Sequence, residues 1–226
     1  MISLNKYLNE SLLDDEDDII NDDEKGMIDN FIKSNYDING TYYIENMEVF
    51  VDGDIYVKNK QITSLNNDDF FVFKKVSRIF DCSFCDNLTT LKGSPENVKI
   101  LQCNYCNKLE NLIGSSKNVE KINCCRCSNL KSLKGISDEV TNLECWSCKK
   151  LESLDYCPKK LIKLKCDWCE KLQSLKGIND NIEDIDCANC KNLISINTEL
   201  KKLKKLYCSK CKKLQSLRGL PKKCRI

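Results

Sequence analysis

The sequence predicts a β-rich solenoid: a coil of seven 21-residue rungs with a parallel sheet, plus a small N-terminal α+β cap. Three observations predict it. First, Cys82-x-x-Cys85 recurs as Cys103/Cys106, Cys124/Cys127, Cys145/Cys148, Cys166/Cys169, Cys187/Cys190 and Cys208/Cys211, each pair 21 residues after the last. Second, apolar residues recur around each pair at −5, −2, 0, +3, +6 and +9 from its first cysteine, as in Val98, Leu101, Cys103, Cys106, Leu109 and Leu112. Third, Gly93, Gly114, Gly135, Gly177 and Gly219 follow that pattern at one fixed offset.

Taken from the N-terminus, Leu4, Leu8 and Leu12 place one apolar face on a helical segment. Asp14–Asp18 and Asn21–Glu24 read as an acidic link, so 1–26 form an amphipathic segment and linker. Met27–Tyr36 is expected as a short helix. Tyr42–Ile44, Val49–Val51 and Ile55–Val57 are expected as strands, with Asp52–Gly53 as the tight turn. Ile55, Val57, Ile62 and Leu65 echo the repeat without cysteines, and residues 27–75 are read as the cap that covers the first open rung.

Residues 76–219 form the seven repeats. Leu-x-Cys is a short strand of period two that turns both side chains into the coil. The following L-x-x-L suits a tight return segment, and the glycines sit where positive φ is expected. Rungs four and six carry Asp155–Tyr156 and Asn197–Thr198 there instead, so those turns should differ. At the far end Leu220 and Cys224 continue the lattice into a basic edge, residues 220–226.

The unit V-x-x-L-x-C-x-x-C-x-x-L-x-x-L-x-G resembles the leucine-rich-repeat pattern. In that resemblance the first cysteine takes a strand leucine and the second takes the place of an Asn ladder. The length resembles the short bacterial subtype. The opening Met-Ile-Ser-Leu-Asn-Lys-Tyr-Leu-Asn-Glu, together with the cysteine-rich repeats, is similar to proteins of tailed, crAss-like phages of gut bacteria. Tyr7, Leu8 and Glu10 resemble the capsid-targeting peptide of internal head proteins, although Ile2 stands where that family has a basic residue. This resemblance implies cleavage between Glu10 and Ser11.

Charge is segregated: residues 1–75 carry a net −10 and residues 76–226 a net +12. The stretch Glu199–Ile226 holds 11 Lys/Arg and one Glu. No apolar run reaches the 18 residues of a membrane span, and no secretory leader is recognised. The cysteines are therefore expected as reduced thiols in the cytoplasm of a host cell, or in a virion.

The spacing between neighbouring knuckles also fits zinc, and an inter-rung disulfide is open on spacing alone. The reading adopted is a lattice of core thiols, because the cysteines occupy apolar slots and the chain has no histidine. No cofactor or metal is therefore expected. Cys157 and Cys224 are expected to be buried, whereas Cys125, at +1, is expected as an exposed thiol.

The outward positions −3, −1, +1 and +2 are assigned to a concave strand face. They hold Phe84, Tyr105, Arg126, Trp146, Trp168 and Tyr207, residue types that dominate protein interfaces. The leading expectation is a non-enzymatic scaffold for a host or phage protein. No histidine, phosphate loop or paired-carboxylate motif supports catalysis, and neither a membrane nor a small-molecule substrate is expected. The alternatives are a virion-internal protein packaged through its N-terminal peptide, and a zinc-stabilised nucleic-acid binder using the basic end. Nucleic acid is the less favoured partner, since the lysines fit a solvated edge.

Overall fold

The computed structural model describes residues 22–65, 71–196, 200–217, 220–223 and 225. Helix α1 (Asp22–Asn35) opens on Asp22, Asp23 and Glu24, carboxylates that suit the positive end of a helix dipole. That acidic turn, expected as linker, is helical. Ile28 and Ile32 of α1 are buried in the cap.

Strands β1 (Tyr36–Glu45) and β2 (Glu48–Val57) form an antiparallel hairpin. The turn is at Asn46–Met47, whose φ values of 47° and 60° give the doubly left-handed geometry that matches strand twist. Asp52–Gly53 is not the turn. Gly53 lies within β2 opposite Gly40, where a Cβ on either would come within 2.1 Å of a carbonyl oxygen across the pair.

From β2 onward the sheet is parallel and runs in chain order. The further strands are β3 (Val72–Asp81), β4 (Asn97–Gln102), β5 (Lys121–Asn123), β6 (Asn142–Glu144), β7 (Lys163–Lys165), β8 (Asp184–Asp186) and β9 (Lys205–Tyr207). The register advances by one repeat per strand, with Leu143 beside Leu164 and Ile185 beside Leu206. Ile55 aligns with Phe80, so the cysteine-free echo is the rung beneath the first knuckle. Buried Asp54 accepts the Ile79 amide at 3.1 Å and meets Arg78 at 3.3 Å, tying down the irregular register between Val76 and Ile79.

Inside the coil Leu, Val, Ile and Cys stack in columns, and from Cys82 to Cys190 both knuckle cysteines of each rung are fully buried. The two sulfur positions differ in role. The +3 thiol of each rung donates to the carbonyl of the first cysteine one rung earlier: Cys106 to Cys82, Cys127 to Cys103, Cys148 to Cys124, Cys169 to Cys145, Cys190 to Cys166 and Cys211 to Cys187, at 3.1–3.3 Å. Backbone amides of the preceding rung serve the carbonyls on either side, as Cys82 and Phe84 donate to Gln102 and Asn104, but skip that oxygen. A buried carbonyl needs a donor, so the second cysteine supplies one. The described cysteines are free thiols.

Gly114, Gly135 and Gly177 have φ of 90–99° and press on the rung before; a Cβ on Gly135 would lie 2.4 Å from Ile113 Cα. Tyr156 lacks positive φ, so the rung-four turn does differ. Asn197–Thr198, Gly219, Cys224 and the N-terminal peptide with its Glu10–Ser11 bond lie outside the described residues.

Candidate binding face

The strands of the inner rungs end at position −1. Positions +1 and +2 belong to the turn that follows, not to the strand face where the sequence pattern put them. At +2 every rung is left-handed: Phe84, Tyr105, Arg126, Ser147, Trp168, Asn189 and Lys210 all have φ of 57–64°. This conformation costs a non-glycine residue about 1–2 kcal/mol. Inter-rung hydrogen bonds offset it, since the +2 amide donates to the +1 carbonyl of the next rung, as from Phe84 to Asn104 and from Trp168 to Ala188 (2.8 and 2.9 Å). The turn therefore projects the +2 side chains as a rim along the C-terminal ends of the strands.

Four of the six candidate residues meet on this rim. Phe84 and Tyr105 stack with centroids 4.7 Å apart and planes at 14°. The Arg126 guanidinium lies 5.4 Å from the Tyr105 centroid and 4.9 Å from that of Trp146. Trp146 comes from +1 of its rung, where the small Ser147 occupies +2. The spacing follows from the strands beneath, which are about 4.8 Å apart. Trp168 and Tyr207 stand apart from this stack, 43% and 52% exposed.

Beside the stack lies a shallow concavity of about 270 Å³ lined by Asp81, Ser83, Gln102, Asn104, Asn123, Cys125 and Glu144 as well as Phe84, Tyr105 and Trp146. Its floor is the −1 column, Asp81, Gln102, Asn123 and Glu144. The aromatic pattern does not point to Asp81 and Asn123, whereas the −1 column taken at 21-residue steps contains both. Asn104 donates to Ser83 Oγ and accepts the Cys125 amide at 2.9 Å. Lys121 and Lys165 both reach Glu144 Oε1, at 3.3 and 3.4 Å. Asn123 Oδ1 is buried with no partner among the described residues.

Cys125 is not the exposed thiol its position suggested. It is 4% exposed, and its sulfur donates to the Glu144 carbonyl at 3.4 Å. The left-handed residue after it bends the chain so that +1 packs between neighbouring rungs, and burial pushes its pKa well up. The same cause raises Cys85 to about 12, and Cys82, Cys103, Cys124, Cys145 and Cys166 lie well above the ordinary thiol value, each facing a neighbouring thiol in a buried site. Such thiols are poor nucleophiles. Cys157 is half-buried, with its pKa raised to about 12 by burial. Among the described residues no group of three or more Cys, Asp or Glu side chains is placed to hold a metal ion, and no described helix is long and apolar enough to cross a membrane.

Basic side chains pair along the coil one repeat at a time: Lys131 with Glu110, Lys159 with Asp138, Lys160 with Glu139 and Lys204 with Glu183, at 2.6–2.9 Å. Many of the lysines are thus engaged with the preceding rung. Comparison with protein-family models, curated proteins and solved structures finds no match.

Proposed function

We propose that this protein is a non-enzymatic scaffold of the leucine-rich-repeat type, encoded by a tailed phage, that binds a protein partner in the host cytoplasm along its concave face and rim. The observation that carries the reading is the rim itself. A fixed backbone turn repeats seven times, and in rungs one to five it presents Phe84, Tyr105, Arg126 and Trp168, with Trp146 beside them. Rings held by their own backbone and by each other lose little freedom on binding, which favours affinity. Exposed aromatics and arginine are the side chains from which interface hot spots are built. The absence of histidine from the chain and the raised pKa values of the interior knuckle thiols support a binding role over catalysis.

The test is partner capture from host lysate with the full chain and with Trp168→Ala and Tyr207→Ala, both at exposed positions where the fold should survive. A specific partner held by the parent and weakened at least about tenfold by either change supports the reading. A partner indifferent to both changes counts against it.

A further inference from the structure

We propose that the concavity between rungs one and four is a saccharide-binding site, taking one or two sugar rings as a neutral, hydroxyl-rich ligand. The chemistry of its lining selects this class by elimination and by match. An anion would face the carboxylates of Asp81 and Glu144. A cation would find the faces of Tyr105 and Trp146 already covered by Arg126, and Glu144 already held by two lysines. A purely apolar ligand would strip water from a floor of carboxylates and amides.

A sugar hydroxyl both donates and accepts, and the lining offers both. Gln102 and Asn123 provide amide donors and acceptors, Asp81 and Glu144 provide acceptors, and the Tyr105 hydroxyl and Trp146 indole provide donors. Asn123 Oδ1 is closed to water and has no partner among the described residues, and a turn of this amide toward the concavity would let a ligand hydroxyl satisfy it. Phe84, Tyr105 and Trp146 supply the apolar part of the lining, against which C–H groups of a sugar can pack. At about 270 Å³ the concavity is near the small end of ligand pockets, which span about 300–1,000 Å³. The site goes beyond protein binding and does not use Trp168 or Tyr207, so failure to capture a protein leaves it standing.

The two tryptophans allow a direct test. In the full chain carrying Trp168→Phe, emission comes from Trp146 at the edge of the site. That protein is titrated with glucose, galactose, mannose, N-acetylglucosamine and their disaccharides, and separately with inorganic phosphate, tetramethylammonium and triglycine. The expected result is a saturable change for at least one sugar, with a dissociation constant of about 1–10 mM and none for the other three probes. Gln102→Ala and Asn123→Ser should each weaken it about tenfold at unchanged circular dichroism. The same sugar on a polymer distinguishes the source: binding at least about tenfold tighter assigns a glycan chain, and equal binding assigns the free sugar. No saturable response to any sugar, a response only to phosphate, ammonium or peptide, or a sugar response untouched by both substitutions would overturn the proposal.

Discussion

Rung five and rung seven are written in nearly the same letters and have different interiors. Leu164, Cys166, Cys169, Leu172 and Leu175 are at most 1% exposed, whereas Cys208, Cys211 and Leu214 are only half-buried and Leu217 is 39% exposed. The difference is the rung that follows. In a stack with nearest-neighbour contacts an inward residue takes its burial from both sides, and the end rung has only a short C-terminal stretch against it, with Leu206 donating to Arg225 at 2.8 Å. Burial is thus a property of position in the array rather than of the repeat sequence.

The largest expected effect follows directly. Leu172→Ala, at the same repeat position as Leu214, should cost about 3–5 kcal/mol, because neighbours on both sides hold the cavity open. Leu214→Ala should cost about 1 kcal/mol, since the side chain already meets water. Urea midpoints of the two variants measure the contrast, and equal losses would break it.

The sulfur ladder gives the next effect. Cys148 supplies a donor to the Cys124 carbonyl at 3.1 Å, while Cys85, in the first knuckle, has no earlier knuckle to serve and reaches only the Ser83 carbonyl at 4.0 Å. Both are fully buried. Cys148→Ala should therefore exceed Cys85→Ala by about 1–3 kcal/mol, the cost of leaving a buried acceptor unmet. If the two losses agree within error, the second cysteine is only a small apolar residue.

Reactivity sharpens the comparison further. The Cys211 thiol is held down to about 7, chiefly by the Cys187 thiol hydrogen-bonded to it in a half-solvated site, while Cys187 is pushed up. The stability that Cys211 contributes is fully present above the ordinary thiol value of 9.0 and is lost as pH falls through about 7. Cys187 works in the opposite sense: its contribution is present below the ordinary value and is lost only as pH rises through its own raised value. Iodoacetamide should label Cys211 before any thiol of rungs one to six, with a rate that rises through pH 7. Cys157 should resist despite its partial exposure. Peptide mapping after brief labelling gives the order, and an interior thiol labelled first would sink the assignment.

The inward lattice was legible because one position holds one kind of residue through seven turns. The +2 turn was not. Its left-handed backbone is occupied by Phe, Tyr, Arg, Ser, Trp, Asn and Lys, with no glycine to mark it, so alternation from the strand was extended two residues too far. Cys125 was misplaced by the same extension. The hairpin departs from its sequence signal for a related reason: Asp52–Gly53 carries the usual turn letters, but its glycine serves a close contact with Gly40, and the turn falls at Asn46–Met47. Of the candidate residues, spacing identified the side chains on the rim but not which of them touch.

That last distinction yields the smallest predicted effect. The stack over rungs one to four is joined by Arg126, which lies between Tyr105 and Trp146; beyond it Trp168 stands alone, with Asn189 and Lys210 following in the same column. An exposed guanidinium over half-buried rings such as these contributes about 0.5–1 kcal/mol per contact. Arg126→Ala loses two such contacts and should cost about 1–2 kcal/mol in stability, a modest shift of the denaturant midpoint. Its optical signature should be plainer. With the guanidinium gone, water reaches the ring face of Trp146 and its emission in the Trp168→Phe background should shift to the red. In the converse variant, Trp146→Phe, the emission of Trp168 should not respond to Arg126→Ala, because no ring or cation contact joins it to the stack among the described residues. A red shift of Trp168 in that variant would mean that the rim is coupled through all five rungs, and the division between its two halves would fall.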